Sequence, residues 1–405
     1  MDTALFNQLL TPAGQTALAD AAALEPTEDN FLRHYQSLAR QHPADLARAA
    51  LEQAILRRAA AAKFPRAAQM YFTRPALEQA TAWQISHYRM SRYRGVNRIF
   101  DFACSIGGDA IPLADAAPVC GFDLDPLRLA IARENARTLQ PPHPIEWIQA
   151  NLTAALPLSR LSPQSALFFD PARRDPNGRR AFSVAQYQPP LSVIHHWLPN
   201  CPNLGVKLSP GVNLQELAQY PAEVEFISLG GELKEAVLWF GGLQTATRRA
   251  TRLPEGISLT PQNVPPLPIV EPRAYLAEPD PAILRAGLVQ TLGAQVNAAQ
   301  LDPEIAYLTA DAPVESPFLR WWQIDFWMPF QLKRLRAALR EHRIGTLTIK
   351  KRGSPLVPEE LLRALKLTGD QQRVLFLTQS ASRPVAIVCF SEEITRETAA
   401  NFPAQ

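Results

Sequence analysis

The sequence lacks any apolar run of about 18 residues and has no basic amino-terminal region, so it contains no candidate membrane span or secretion signal. Cysteine is also scarce. The four cysteines are scattered, with no Cys-x-x-Cys pair or other metal-ligand spacing among them. We therefore expect no membrane association, no bound metal, and reduced thiols in the cytoplasm.

The sequence also lacks a large excess of either sign of charge, because the formal net charge is only +3 over 405 residues. A balance so near neutrality does not by itself argue for nucleic acid, so any basic surface has to be local. The sequence shows no internal repeat and no low-complexity tail. Its length and its 47% hydrophobic content indicate a globular chain of two or three domains.

Short apolar β-type runs alternate with helical stretches from Asn97 onward. This alternation predicts an α/β fold with a mostly parallel, doubly wound sheet. Two more β-type runs, Glu223–Ser228 and Ala236–Phe240, meet at Gly230–Gly231 without a helix between them, which predicts an antiparallel terminal hairpin. The predicted parallel strands are Asn97–Cys104, Val119–Asp123, Ile145–Gln149, Ser165–Asp170 and Asn203–Leu208, and the predicted helices are Asp109–Ala117, Pro126–Leu139 and Leu191–Leu198.

Composition divides the chain into five regions. Residues 1–92 carry apolar residues at helical spacing and predict a helical domain or lid, whereas residues 93–250 hold the predicted sheet. A proline-rich linker at 251–272 precedes a small α+β domain, ferredoxin-like in type, at 273–330. The last α+β unit covers 331–405.

The residues suited to chemistry lie where the predicted strands end. The first strand runs into Asp101-Phe-Ala-Cys-Ser-Ile-Gly-Gly-Asp109, whose glycines allow close approach to a ligand before a helix N-terminus that favours an anion. The second strand ends at Asp123, whose carboxylate can accept both ribose hydroxyls of a nucleoside. Asn151 follows the third strand and can reach an adenine edge. The pattern predicts a nucleoside cofactor at the carboxyl edge of the sheet.

Other interpretations of these residues remain open. A Rossmann dehydrogenase would need G-x-G-x-x-G, a spacing that Ser105–Gly108 lacks. Gly107–Gly108 can be a structural turn, and Asp101 can simply order the loop. Asp125 fits the N-cap of the helix Pro126–Leu139, so we assign the ribose to Asp123.

Two segments of the chain resemble class I S-adenosylmethionine-dependent methyltransferases, especially trimethylguanosine synthase and its bacterial relatives. They are Asp101–Asp109 and GFDLDPLRLAIARENA at Gly121–Ala136. The chain as a whole resembles bacterial methyltransferases with a C-terminal THUMP-like domain. This second resemblance is supported by three segments: FTRPALEQAT at Phe72–Thr81, LFFDPARR at Leu167–Arg174 and LTIKKRG at Leu347–Gly353. The resemblance implies a Rossmann-like class I methyltransferase sheet, a THUMP-like region at 331–405, and S-adenosyl-L-methionine as cofactor. The assigned cofactor-binding residues are Asp101, Cys104, Ser105, Gly107, Asp123, Leu124, Asn151 and Leu152.

One position departs from the family pattern, which has glycine where Ser105 stands. A serine fits there if its φ is negative, and its hydroxyl can then contact the cofactor. We expect the loop to be slightly less open.

The fourth strand ends at Asp170-Pro171-Ala172-Arg173, where we expect the methyl acceptor. Asp170 and the Pro171 carbonyl can accept the two N–H groups of an exocyclic amine and aim its lone pair at the methyl group, similar to the Asn/Asp-Pro-Pro-aromatic loop of amino methyltransferases. Ala172 replaces the second proline and Arg173 the aromatic residue, so the guanidinium is the candidate for stacking. Asp170, Pro171 and Arg173 are the predicted catalytic residues.

Alternatives to this assignment concern Asp170, Lys207 and Cys201. Asp170 can serve only to order its loop, and Lys207, which ends the fifth strand, either lines the pocket or is structural. Methylation at a pyrimidine C5 needs a cysteine nucleophile. No cysteine follows Asp170-Pro171, and Cys201 precedes the fifth strand, at the opposite edge of the sheet.

Local basic clusters make RNA the expected partner. THUMP domains bind RNA in other enzymes. Leu347–Ile349 is predicted as a strand, with Lys350–Arg352 on an exposed turn where they can meet a phosphate. A solvated helix face remains the alternative for Lys333–Arg343, and Trp321, Trp322 and Trp327 are expected in the core. The cluster beside the presumed active site consists of Arg173, Arg174, Arg179 and Arg180.

The sequence thus favours a methyltransferase acting on an exocyclic nitrogen of an RNA base. Two other classes stay open. One is a methyltransferase of a protein or small molecule that uses its C-terminal unit for assembly. The other is a non-catalytic S-adenosylmethionine-binding protein.

Overall fold

The computed structural model of the chain describes residues 1–153, 162–173, 181 and 183–394. Arg174, Arg179 and Arg180 of the predicted basic cluster lie outside the described residues. The chain forms two compact units. The first comprises Met1–Val224 and Glu235–Thr245, and the second comprises Glu225–Lys234 and Ala246–Gln405.

The first unit begins with helices that carry recognisable start signals. Asp2, Thr11 and Thr73 each accept a backbone N–H of the helix that follows, which satisfies one of its free donors. One 3₁₀ turn, Ala67–Gln69, lies between the fourth and fifth helices, and another, Ser91–Tyr93, follows the sixth. The helices are α1 (Thr3–Leu9), α2 (Pro12–Ala23), α3 (Phe31–Leu38), α4 (Ala44–Ala60), α5 (Arg74–Gln79) and α6 (Trp83–Met90).

A mostly parallel sheet follows, as the sequence predicts. Its order is β3-β2-β1-β4-β5, and β7, the second strand of the hairpin with β6, pairs antiparallel with β5. The strands are β1 (Arg98–Phe102), β2 (Val119–Asp123), β3 (Ile145–Gln149), β4 (Ser165–Phe169), β5 (Leu204–Leu208), β6 (Glu223–Leu229) and β7 (Glu232–Trp239). The helices are α7 (Ala110–Leu113), α8 (Pro126–Leu139), α9 (Ile194–Trp197) and α10 (Leu214–Leu217).

The strand order places a crevice at the carboxyl end of β1. Successive strands lie on one side of β1 as far as β3 and then on the other side from β4 onward, so the connections diverge at this point. Ligands of open α/β sheets bind at such reversals. β4 and β5 are buried along their whole length, which explains why they appear in the sequence as continuous apolar runs.

The amino-terminal helices belong to the same compact unit as this sheet. Asn135 of α8 is fully buried and ties the two regions together. Its side-chain amide donates to the carbonyls of Tyr71 and Ile106, both at 3.1 Å, and its side-chain oxygen accepts the Tyr71 N–H at 2.8 Å. One amide therefore positions both the chain ahead of α5 and the loop that follows β1.

The second unit contains a seven-stranded sheet in the order β11-β12-β10-β13-β16-β15-β14. β13 pairs with β10 on one side and β16 on the other, so one sheet runs through the regions 273–330 and 331–405. Its seven strands are β10 (Tyr275–Pro279), β11 (Ala299–Asp302), β12 (Ile305–Ala310), β13 (Leu319–Pro329), β14 (Ile344–Lys351), β15 (Gln371–Ser380) and β16 (Arg383–Phe390). Two strands outside this sheet, β8 (Arg248–Leu253) and β9 (Ile257–Leu259), precede it in the chain and pair antiparallel with each other. The helices are α11 (Pro281–Ala286), α12 (Val289–Gln295), α13 (Leu332–Glu341) and α14 (Pro358–Leu365).

The expected placement of Lys350–Arg352 on a free turn is wrong. β14 is longer than predicted and includes Lys350, whose ammonium pairs with Glu278 at 2.6 Å and lies 4.3 Å from the centre of the Trp322 ring. The Arg352 guanidinium lies 5.1 Å from the centre of the Tyr307 ring. Ion-pair and cation–π contacts hold these two half-buried charges against the sheet, which a charge count along the sequence cannot reveal.

Two other expectations for this unit can be compared with the structure. Trp321 and Trp322 are buried, as predicted, and Trp327 packs against the same core. Within the described residues, no helix combines the length and apolar character needed to span a membrane. The domain boundaries and the cytoplasmic location given above stay predictions.

Candidate active site

The loop after β1 has an unusual backbone. Ala103, Ser105 and Gly107 have φ values of +69°, +51° and +84°. The expectation that Ser105 fits with a negative φ is therefore wrong. A non-glycine residue in this left-handed region carries a cost of about 1–2 kcal/mol, which the surrounding contacts have to offset.

The Asp123 carboxylate supplies such contacts. Its Oδ2 accepts the Ser105 N–H at 2.9 Å, and its Oδ1 accepts the Asp125 N–H at 2.9 Å. The side chain is almost completely buried at the end of β2. Each carboxylate oxygen has a second lone pair, so both can still accept a ribose hydroxyl.

The residues after β2 match their expected geometry. Asp125 is the N-cap of α8 and accepts the Leu127 N–H at 2.8 Å, which confirms the capping role. Leu124 is 66% exposed, an unusual position for a large apolar side chain and one that leaves it available to an adenine ring. Asn151 follows β3 but bonds locally to Thr153, and Leu152 is buried beside it.

Two positions near this loop require glycine. A Cβ on Gly107 would come within 3.2 Å of the Trp147 ring, at a φ that side chains rarely adopt. A Cβ on Gly121 would lie 2.9 Å from the same ring and 3.1 Å from the Cys104 sulfur. Cys104 is buried, and burial raises the pKa of its thiol well above the usual value. It is part of the loop and carries a neutral thiol.

A pocket opens above this loop, and its wall has three parts besides the single residue Arg128 of α8. Two were predicted: Ala103–Asp109 after β1 and Asp170–Arg173 after β4. The third, Ala76–Thr81, comes from the end of α5 and the residues that follow. The lining residues are Ala76, Glu78, Gln79, Ala80, Thr81, Ala103, Cys104, Ser105, Ile106, Gly108, Asp109, Arg128, Asp170, Pro171, Ala172 and Arg173.

Sequence reasoning missed the third wall. It noted FTRPALEQAT only as a mark of resemblance, although the proline at the start of α5 and the Thr73 cap do predict the helix. Asp101, Gly107, Asp123, Leu124, Asn151 and Leu152 do not line the pocket itself. Asp123 nevertheless helps to shape the pocket, because it accepts the N–H of Ser105, which lines it.

Asp170 is ion-paired in the structure. Its Oδ2 lies 2.6 Å from the Lys207 ammonium, and the lysine side chain is only 5% exposed. Lys207 therefore contacts the predicted catalytic carboxylate but is not itself among the residues that line the pocket. The next residues are held by Ala172, which exchanges backbone hydrogen bonds with Gln188 at 2.9 and 3.0 Å.

A buried arginine lies beside this pair. Arg89 of α6 pairs with Asp109 at 2.5 Å and with Glu235 of β7 at 3.0 Å, and its guanidinium lies 4.5 Å from the centre of the Phe168 ring. Ser86 donates to the same Asp109 oxygen at 2.6 Å. Nothing in the sequence analysis pointed to Arg89 or Glu235, because partners so distant along the chain leave no local pattern.

Burial and charge set the protonation of this cluster. Burial, and after it the carboxylates of Asp109 and Asp170, raises the pKa of Asp101 well above its usual value. Burial also raises the pKa of Glu235, although Arg89 opposes the shift. Burial alone would raise the pKa of Asp109 as well, but Arg89 and Lys207 hold it below the usual value. The cluster therefore holds ionised and neutral carboxyl groups side by side.

Metal chemistry finds no support in the described residues, where no group of three or more His, Cys, Asp or Glu side chains is arranged to hold a metal ion.

Comparison with known proteins agrees with this geometry. An S-adenosylmethionine-dependent methyltransferase of Mycobacterium tuberculosis is 34% identical over 354 residues, which is 84% of this chain and 96% of that protein. A solved protein of Porphyromonas gingivalis W83, described as a candidate methyltransferase, has 23% identity and a TM-score of 0.73 over 93% of this chain and 99% of its own. A family model described as THUMP domain-like matches residues 319–390, and a model for a domain of unknown function matches residues 2–60.

The chain belongs to the S-adenosylmethionine-dependent methyltransferases. It is a class I enzyme with a THUMP-like domain near its C-terminus, and S-adenosylmethionine is its cofactor. The residues present fit that molecule. Asp123 retains acceptor capacity for the ribose, and exposed Leu124 offers an apolar surface for the adenine.

The Asp123 assignment predicts a difference between two neighbouring acids. Asp123→Ala should weaken S-adenosylmethionine binding by about 2 kcal/mol, or roughly 30-fold, because ribose hydroxyls and a loop amide both lose their acceptor. Asp125→Ala removes a helix cap and should cost about 1 kcal/mol of folding stability with little change in affinity. Titration calorimetry on both variants, with thermal unfolding as the control, tests this. Unchanged affinity in the Asp123 variant would remove it from the site.

The buried Asp101 predicts a pH effect on stability. Unfolding returns its carboxyl group to an ordinary pKa near 4, so the wild type loses stability as pH rises from there toward the raised folded-state value. Asp101→Asn has no such titration. The free energy of unfolding of the variant, measured by denaturant titration between pH 5 and pH 8, should therefore improve steadily relative to wild type. A constant difference across that range would contradict the assignment.

Proposed function

We propose that this methyltransferase transfers a methyl group to an exocyclic nitrogen of an RNA base. The observation that carries the proposal is that Asp170-Pro171 borders the same pocket as the loop after β1. The acceptor can therefore reach the methyl donor from the β4 side.

Asp170 and Pro171 suit an amine nucleophile. With Asp170 Oδ2 paired to Lys207, Oδ1 has no hydrogen-bond partner within the part of the chain that is described. This oxygen can accept one N–H of the amine, and the Pro171 carbonyl can accept the other. The nitrogen lone pair then forms the new N–C bond in line with the breaking S–C bond, and S-adenosylhomocysteine leaves as a neutral thioether. The methylated nitrogen, now positively charged, loses one proton to solvent water.

S-adenosylmethionine supplies the activated methyl group, and the protein supplies position and exclusion of water. Lys207 fixes the Asp170 carboxylate, while the backbone bonds between Ala172 and Gln188 hold the loop on which Arg173 stands. The half-buried Arg173 at the pocket wall is the candidate for stacking on the base, since no aromatic residue follows Pro171.

RNA is proposed as the substrate class on two grounds. The match at residues 319–390 is to a model described as THUMP domain-like, and THUMP domains bind RNA in other enzymes. The helix α13 within that match presents Lys333, Arg334 and Arg340 at its surface, all exposed and with no ion-pair partner in the described residues. These cations, and not Lys350 or Arg352, are free to neutralise phosphates.

The most direct experiment identifies the product. The enzyme is incubated with radiolabelled S-adenosylmethionine and RNA from a strain that lacks it, and the RNA is digested and its nucleosides are separated by mass spectrometry. We expect label on an exocyclic amino nitrogen. Label only in a protein or small-molecule fraction would support the alternative in which the C-terminal unit serves assembly.

The acceptor geometry predicts the behaviour of Asp170 variants. Asp170→Ala should abolish turnover while cofactor affinity stays within about threefold, because the partner of this carboxylate is the nucleophile. The change strands the Lys207 ammonium, and breaking a buried pair costs about 3–5 kcal/mol, so Asp170→Ala with Lys207→Met is the control for folding. The double variant should fold and still be inactive. Turnover by either variant would contradict the mechanism.

The α13 surface predicts a salt-dependent effect. Reversing Lys333, Arg334 and Arg340 to glutamate should weaken binding to all RNA sequences about equally, and should reduce the log–log salt slope by roughly 2–3 units. Fluorescence anisotropy over a salt series measures both quantities.

The matched control reverses Arg40, Arg48 and Arg94, which are exposed residues of the first unit and change the net charge by the same amount. Equal losses in the two triple variants would mean that only overall charge matters. A small loss from Lys350→Glu is not informative, since that change also breaks the contacts with Glu278 and Trp322.

A further inference from the structure

The third wall of the pocket is held rigidly in place. The Lys63 ammonium donates to the carbonyls of Leu77, Glu78 and Ala80 at 2.7, 3.2 and 3.0 Å. A cation at the C-terminal end of α5 satisfies carbonyls that the helix leaves open and stabilises its dipole. Lys63 therefore holds the segment that ends at Thr81, together with the core packing of Ala76 and Leu77.

Thr81 has an unexplained hydroxyl group in this wall. The residue is only 7% exposed, and its Oγ1 is buried without a hydrogen-bond partner in the described residues. Burying an unpaired hydroxyl costs about 1–3 kcal/mol. Because Thr81 lines the pocket beside Ala80, Ser105 and Gly108, a bound molecule can supply the missing partner.

The strand order indicates which part of the cofactor reaches this wall. The sulfonium carries three groups: the ribose, the methyl and the amino-acid chain. The ribose is assigned to Asp123 after β2, and the methyl has to face Asp170 after β4, with β1 between them. These assignments use two sides of the crevice. The amino-acid chain then extends along the remaining side, where Ala76–Thr81 forms the wall.

We propose that the Thr81 hydroxyl hydrogen-bonds the charged amino-acid end of S-adenosylmethionine, and that the segment after α5 is the wall which recognises that end. A hydroxyl can donate to the carboxylate or accept from the ammonium. The inference rests on the cofactor site described above. It does not depend on the identity of the methyl acceptor.

The test compares ligands as well as variants. Titration calorimetry is carried out on the full-length protein with S-adenosylmethionine and with 5′-methylthioadenosine, which lacks the amino-acid end. Thr81→Val should weaken S-adenosylmethionine binding by about tenfold to a hundredfold, the range for a hydrogen bond to a charged group, and 5′-methylthioadenosine binding by less than about threefold. Thr81→Ser should retain most of the affinity. Decarboxylated S-adenosylmethionine shows whether carboxylate or ammonium is the partner.

Thr378→Val provides a matched control. Thr378 lies in β15 of the second unit and is also buried, with an unpartnered hydroxyl among the described residues. Without ligand, neither substitution should lower the free energy of unfolding, because neither removes a hydrogen bond. Only the Thr81 change should alter cofactor affinity.

Two results would overturn the proposal. One is an equal loss for both ligands in Thr81→Val, which would show that the hydroxyl only shapes the pocket. The other is unchanged binding of S-adenosylmethionine by this variant. If the wild-type protein binds neither ligand, the cofactor site itself is wrong, and that outcome is distinct from a failure at Thr81.

Discussion

The candidate cofactor site depends on the two hydrogen bonds that the Asp123 carboxylate accepts. One oxygen holds the Ser105 N–H after β1, and the other holds the Asp125 N–H at the start of α8. Hydrogen bonds to a buried carboxylate are stronger than neutral ones, so they can offset the strain of Ser105 at a φ of +51°. The group proposed to bind the ribose therefore also sets the shape of the loop, and a change at Asp123 alters both.

Buried charge is the second constraint, because a carboxyl group taken out of water needs a partner or a proton. Asp109 and Asp170 have partners in Arg89 and Lys207. Asp101 has none among the described residues, and its raised pKa is the alternative solution. Partner and proton are thus alternative solutions to one problem, and both occur at the base of this pocket.

The sequence predicts the features that are set by short segments of the chain, but not those that depend on residues far apart in it. β2 and β3 have their predicted bounds, and Asp125 caps the predicted helix, since apolar runs and caps are properties of short segments. The sign of φ at Ser105 is set instead by contacts with Asp123, and no local pattern contains them. The predicted placement of Lys350 on an exposed turn was wrong for the same reason, because its partners Glu278 and Trp322 lie on other strands of the sheet.

The same distinction explains how the active site is divided along the chain. Strand ends were recognisable because the topology of an open α/β sheet brings them to one edge. The wall at Ala76–Thr81 comes from a helix outside the sheet, and Lys63 bonds to its backbone carbonyls, which every residue type provides. Asn135 holds the chain ahead of that helix in the same way, through the carbonyl of Tyr71. A contact of this kind constrains the residue type of the donor only. A single lysine or asparagine forms no recognisable sequence pattern, so this part of the pocket could be found only from the structure.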